Sequence, residues 1–169
     1  KRALASLAEA KRSPQVPRKV MNRLMKRLET RLREFDLDTE INSDTGDVVL
    51  KFKSVYFDFG DWELKRKMKE DLSKFIPVYA ETVLGDATLR SYIKSIEIQG
   101  HASPTHRRRI IDPSKLDPRH MRAINFNMDI SYKRAKSIFR YIFDRRNLKY
   151  RYQKKMLKVA KVSGRGFLE

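Results

Sequence analysis

The sequence has no cysteine, so it can carry neither a disulfide framework nor a thiolate metal site. That absence fits cytosol and periplasm equally. No apolar run approaches the roughly 20 residues needed to span a bilayer, and no signal peptide is visible. The chain opens on Lys1 inside a helical pattern and without a methionine, and so reads as a fragment. Acidic residues are few: 21 Asp and Glu against 39 Lys and Arg leave a formal net charge of +18. Such a surplus favours an anionic partner, whether nucleic acid, an acidic membrane surface or a polyanionic wall, without choosing among them. There is no internal repeat and no low-complexity tract. What remains, 40% hydrophobic and 10% aromatic over 169 residues, is enough for one domain with its own core plus an appendage.

Catalytic constellations are absent too. His101, His106 and His120 have no helical metal-ligand pairing. Ser103 or Ser131 with His101 lacks any Gly-x-Ser-x-Gly context, and chance adjacency is the better account. No glycine-rich phosphate loop precedes a helix. We therefore expect no catalysis, no metal and no cofactor.

Taken in order, 1–12 reads as a short helix, interrupted by Ser13-Pro14-Gln15-Val16-Pro17. From Arg18 a stripe of Val20, Leu24, Leu28, Leu32 and Phe35 predicts a helix whose other faces are basic. It can be read as a helix packed on the domain or as a linker and dimerisation segment; the second is preferred, giving a boundary near residue 36. Leu37–Ile41 and Val48–Phe52 flank a turn-rich, glycine-bearing segment and predict a β-hairpin running on into Val55-Tyr56-Phe57. Asp61 is the expected N-cap of a helix carrying Leu64, Met68, Leu72, Phe75 and Tyr79, with Pro77 kinking or shortening it. Ser95–Gln99 reads as a strand, 105–126 as a long inserted loop, and Leu157–Ser163 as a late strand. Between them, Asn127–Phe143 predicts an amphipathic helix through Ile130, Ala135, Ile138, Phe139 and Ile142, with Asn127, Asp129 and Ser131 crowding its start.

The order Asn127-x-x-Ile130-Ser131-x-x-Arg134-Ala135 resembles the helix signature of the OmpA-like, or OmpA/MotB C-terminal, peptidoglycan-binding family. Three further landmarks stand in the family's order: Val55–Gly60 with Leu64, Ile96–His101, and Val162–Gly166. The resemblance covers about Leu37 to Glu169, and the long insertion is more similar to the flagellar-stator branch. It implies an α+β fold, a βαβαβ mixed sheet with helices on one face, as residues 37–169 behind a basic helical segment 1–36. It also implies a further strand after the Gly164-Arg165-Gly166 turn.

The function implied is non-catalytic peptidoglycan binding in the periplasm. The chain would be tethered to the inner or outer membrane by a segment outside it, as a homodimer with membrane-embedded partner subunits. In the family's site Arg134 would take the carboxylate of a stem-peptide residue, with Asn127 and Ser131 shaping the pocket. Phe59, Gly60 and Trp62 would form one wall; Gly100, His101, Ala102 and Ser103 would form the loop opposite. Ser103 stands where the family usually has aspartate, so the partner for a ligand ammonium is missing; Asp58 and Asp112 are the candidate replacements. Two other readings are a degenerate domain kept for structure or oligomerisation, and nucleic-acid binding through the basic, tyrosine-bearing stretch 145–155. Nucleic acid is not the expected partner.

Overall fold

The computed structural model describes residues 17–35, 39–42, 47–50, 57–107 and 109–167. They form an α+β fold in which helices cover one face of a parallel strand pair. The expected helix in 1–12, the inserted turn at 43–46 and the strand residues Val55 and Tyr56 lie outside the described residues.

Helix α1 (Arg18–Arg33) buries Leu24, Met25, Leu28 and Leu32. Its partner is α2 (Arg66–Leu84), which buries Met68, Leu72, Phe75 and Ile76 in the same core. Arg31 ties the two together, donating from Nη2 to Glu81 Oε2 at 2.6 Å and from Nη1 to Thr82 Oγ1 at 3.1 Å. The leucine stripe of α1 is thus used inside the chain, as the packing reading of that helix requires.

Strands β1 (Thr39–Asn42) and β2 (Asp47–Leu50) pair antiparallel, Thr39 opposite Leu50 and Asn42 opposite Asp47, as the hairpin pattern predicts. After α2, Asp86 accepts from the amides of Thr88 and Leu89 and starts the short α3 (Ala87–Tyr92). Strand β3 (Ile96–Gly100) turns Ile96, Ile98 and Gly100 towards the helices and leaves Glu97 and Gln99 exposed, the alternation of a sheet covered on one side. A two-residue ladder of β4 (Thr105–His106) and β5 (Arg109–Ile110) follows. Then come α4 (Pro118–Phe143), α5 (Gln153–Val159) and β6 (Ala160–Gly164), which returns parallel to β3 with Ile96 opposite Ala160 and Gly100 opposite Gly164. A parallel return needs a long crossover, and α4 and α5 supply it.

Four expectations are corrected. The central helix does not begin at Asn127: Asp117 caps it through the amides of Arg119 and His120, with Pro118 in the first turn, where a missing N–H costs nothing. Half of the supposed 105–126 loop is therefore helix or ladder, and Arg134 lies well past the helix middle. Asp61 does not cap α2, which starts at Arg66 behind Lys65; its carboxylate accepts instead from the amides of Trp62 and Glu63. Pro77 does not shorten α2, which continues to Leu84. Leu157 to Val159 end α5, and the late strand starts only at Ala160.

Candidate ligand-binding site

The site is built where α4 crosses the ends of β3 and β6. Ser131 and Ala135, one turn apart on α4, have no exposed surface. Beneath them lie the paired glycines that end the two strands. A Cβ on Gly100 would stand 1.9 Å from the Ser131 carbonyl oxygen. One on Gly164 would stand 2.4 Å from the Tyr132 nitrogen and 2.6 Å from Ser131 Oγ. Only glycine lets the helix backbone come this close. At Gly100 the backbone that approaches closely is that of α4.

Ser131 fastens the crossing to the glycine turn. Its hydroxyl donates to the Met128 carbonyl at 2.8 Å and accepts from the Gly166 amide at 2.8 Å. Gly166 has φ +61°, a left-handed conformation that suits glycine. Beyond the strands, Arg165 N donates to Gly100 O at 3.1 Å and Ala102 N to Gly166 O at 2.6 Å, so the Gly-His loop and the glycine turn stay zipped together. Asn127, also buried, donates from Nδ2 to Thr105 O at 3.4 Å.

Arg134 gathers the remaining segments. Its Nε donates to Asp61 O at 2.8 Å, Nη2 to Asp58 O at 3.1 Å and Nη1 to His101 O at 3.3 Å. The guanidinium carbon lies 4.9 Å from the centre of the Phe57 ring. Burial pulls its pKa below the ordinary arginine value, opposed by the charge of Asp61. An arginine remains protonated here, and these bonds use three of its five N–H donors. These bonds leave one further N–H on each terminal nitrogen.

Three of the four sequence landmarks therefore meet at one arginine or on the helix turn beside it: the loop after Phe57, the Gly-His loop and the α4 signature. The fourth, Gly164–Gly166, is tied to them through Ser131. Around them lies an exposed rim. Phe59 and Trp62 project from the first loop, with Lys133 Nζ 4.3 Å from the Trp62 ring centre. His101 and Ser103 are exposed, and Ser103 Oγ shares a 2.8 Å hydrogen bond with Thr105 Oγ1. Asp58 pairs its carboxylate with Lys65 at 2.5 Å, so it is already partnered. Asp112 accepts from Ser114 and faces Lys115 at 3.7 Å, with no recorded bond to the Arg134 cluster.

Sequence reasoning missed that Asp58, Asp61 and His101 contribute main-chain carbonyls, for which side-chain identity holds no signal. It also missed Gly164 as the partner of Gly100. There a signal existed: two strand-ending glycines, and two small residues at i and i+4 on one helix face. A cleft of about 510 Å³ lies away from this site. It is lined by Arg27, Arg31, Glu81, Gly85, Asp86 and Tyr152, at the C-terminal end of α2. That cleft is open, and its Arg31 and Glu81 are already paired with each other. In the basic stretch 145–155, Tyr150 and Tyr152 pack against the core, which leaves them poorly placed to stack on bases. Among the described residues no cluster of His, Asp or Glu could hold a metal ion, and no helix is long and apolar enough to cross a membrane.

No protein-family model and no solved structure matches the sequence. Among curated proteins it is similar to the Zorya protein ZorB of Escherichia coli strain Crooks, with 30% identity over 113 residues. That alignment takes in 67% of this chain and 43% of ZorB, so the chain spans less than half of that relative's length.

Proposed function

We propose that this chain is a non-catalytic anchor domain that binds peptidoglycan through its stem peptide and ties a membrane protein, of stator-like kind, to the cell wall. The observation that carries the reading is the convergence on Arg134. Loops from two strand ends and the α4 signature meet at a cation that keeps two N–H donors for a ligand carboxylate. The likeness to ZorB supports the same reading, as does the resemblance to the stator branch. In this proposal the protein works in the periplasm as a homodimer, with residues 1–36 leading towards membrane-embedded partner subunits. Because α1 packs its stripe on α2, a dimer contact through this segment would use its basic faces or residues before it.

A second reading has its own support. Arg134 spends three donors on its own chain, and Ser103 supplies no carboxylate for a ligand ammonium. A degenerate domain would keep the first feature for stability and lose the second without consequence. Purified sacculi separate the two. The surplus of positive charge adds a wall-binding term that is screened beyond about 8 Å at physiological salt. Saturable binding that survives high salt and is lost in Arg134→Ala supports the anchor. Binding that vanishes with salt in the parent supports the degenerate domain.

A further inference from the structure

The loop between Phe57 and α2 is held far more tightly than its exposure requires. Gly60 turns it with φ +71°. Asp61 N donates to Asp58 O at 3.1 Å, and the Asp61 carboxylate accepts from Trp62 N at 2.6 Å and Glu63 N at 3.2 Å. Arg134 holds the carbonyls of Asp58 and Asp61 from below. Yet the rings this loop carries are left in solvent: Phe59 is 75% exposed and Trp62 39%. Exposed aromatic rings on an ordered backbone are poor for stability and good for binding, since little freedom is lost when a ligand arrives.

We infer that Phe59 and Trp62 form a platform for the sugar rings of the wall's glycan strand, beside the pocket assigned to its peptide. The inference rests on the peptidoglycan reading and adds the carbohydrate as a second recognised part. A pyranose offers an apolar C–H face edged by hydroxyls. Lys133 Nζ lies over the Trp62 ring, 4.3 Å from its centre, and is a donor for such an edge where a sugar stacks on Phe59 and on the uncovered part of the indole. Two rings set among Asp58, Asp61, Glu63 and Lys65 make too small and too charged a patch for the core of a stable dimer.

Trp62 is the single tryptophan of the chain, so its emission reports on this loop alone. The probe is a short N-acetylglucosamine oligosaccharide, which carries the glycan chemistry and no peptide; a sugar-free stem peptide is titrated in parallel. We expect the oligosaccharide to change Trp62 emission saturably, and Phe59→Ala to weaken its binding roughly three- to tenfold, with Phe59→Tyr retaining it. No emission change, or full affinity in Phe59→Ala, overturns the platform. So does a change that follows protein concentration instead of sugar, which would assign the rings to a second copy. The peptide arm keeps the two readings apart. Peptide binding without sugar binding removes the platform and keeps the anchor; sugar binding without peptide binding does the reverse for the stem-peptide pocket.

Discussion

The buried crossing and the exposed rim of the candidate site sit within a few residues of each other and obey different rules. At the crossing, Gly100, Gly164, Ser131 and Ala135 are packed so closely that backbone meets backbone. Their identities are dictated by space. At the rim, Phe59, Trp62, His101 and Ser103 are exposed, and such contacts as they make, Lys133 over the Trp62 ring and the Ser103–Thr105 hydrogen bond, are themselves at the surface. Arg134 belongs to both, half-buried, with its planar fork spread over three carbonyls. Residues that look like ligand contacts in a motif can thus also be devices for holding main chain.

The sharpest way to break this contrast is to put a methyl group at the crossing. Gly100→Ala places a Cβ on a backbone carbonyl oxygen, which cannot rotate away as a side chain would. Over-packing commonly costs 1–3 kcal/mol, and a backbone obstacle belongs at or beyond the top of that range, so we expect a loss of about 3 kcal/mol or more. Chemical denaturation measures it. A loss below about 1 kcal/mol would mean that α4 can lift off the strands, and the crossing would not be the rigid element described.

Arg134→Ala comes next, with an expected loss of stability on the order of 2 kcal/mol, because three carbonyls lose a charged donor and partly recover water. Wall binding should go with it. Arg134→Lys sharpens the point: a single ammonium cannot span the three acceptors, so it should restore little of the loss. Full rescue by lysine would reduce Arg134 to a point charge. Ser131→Ala should cost about 1–2 kcal/mol by leaving the buried Gly166 amide without its acceptor. Hydrogen exchange at that amide should quicken, and unchanged protection would show that the turn is held by something else.

How much of this was readable beforehand follows the same division. Apolar spacing located the stripes of α1, α2 and α4, because periodicity reports burial directly. The hairpin and both strands of the parallel pair stood close to their expected places. The α4 start was misplaced because Asn127, Asp129 and Ser131 are the residue types that cap helices. Asn127 and Ser131 instead spend their polar groups on Thr105 and Gly166, which only the tertiary fold brings near. The true signal, Asp117-Pro118, was present and was read as loop, since Asp-Pro marks turns as well as helix starts. Of the candidate site, the motif pointed to the helix and the arginine on which the loops converge. It could not show that the arginine's first partners are main-chain carbonyls, because no residue type encodes those.

The smallest expected effect on folding belongs to the rim and tests the comparison from its other side. Ser103→Asp should change stability by no more than about 0.5 kcal/mol, since the side chain is exposed and its one partner, the Thr105 hydroxyl, can donate to a carboxylate as well. Its effect on binding should be larger. If a ligand ammonium passes this loop while its carboxylate sits on Arg134, a charge-assisted hydrogen bond replaces a neutral one, for a gain of about 1 kcal/mol, near fivefold in affinity. That gain should vanish in the Arg134→Ala background, because two groups gripping opposite charges of one ligand couple in a double-mutant cycle. Titrating a soluble stem peptide into the parent, both single variants and the double variant measures the coupling. A gain that persists without Arg134 would mean only that the new charge attracts cations. No gain at all, with no loss in Arg134→Ala, would place the ligand elsewhere and leave the crossing as a purely structural joint.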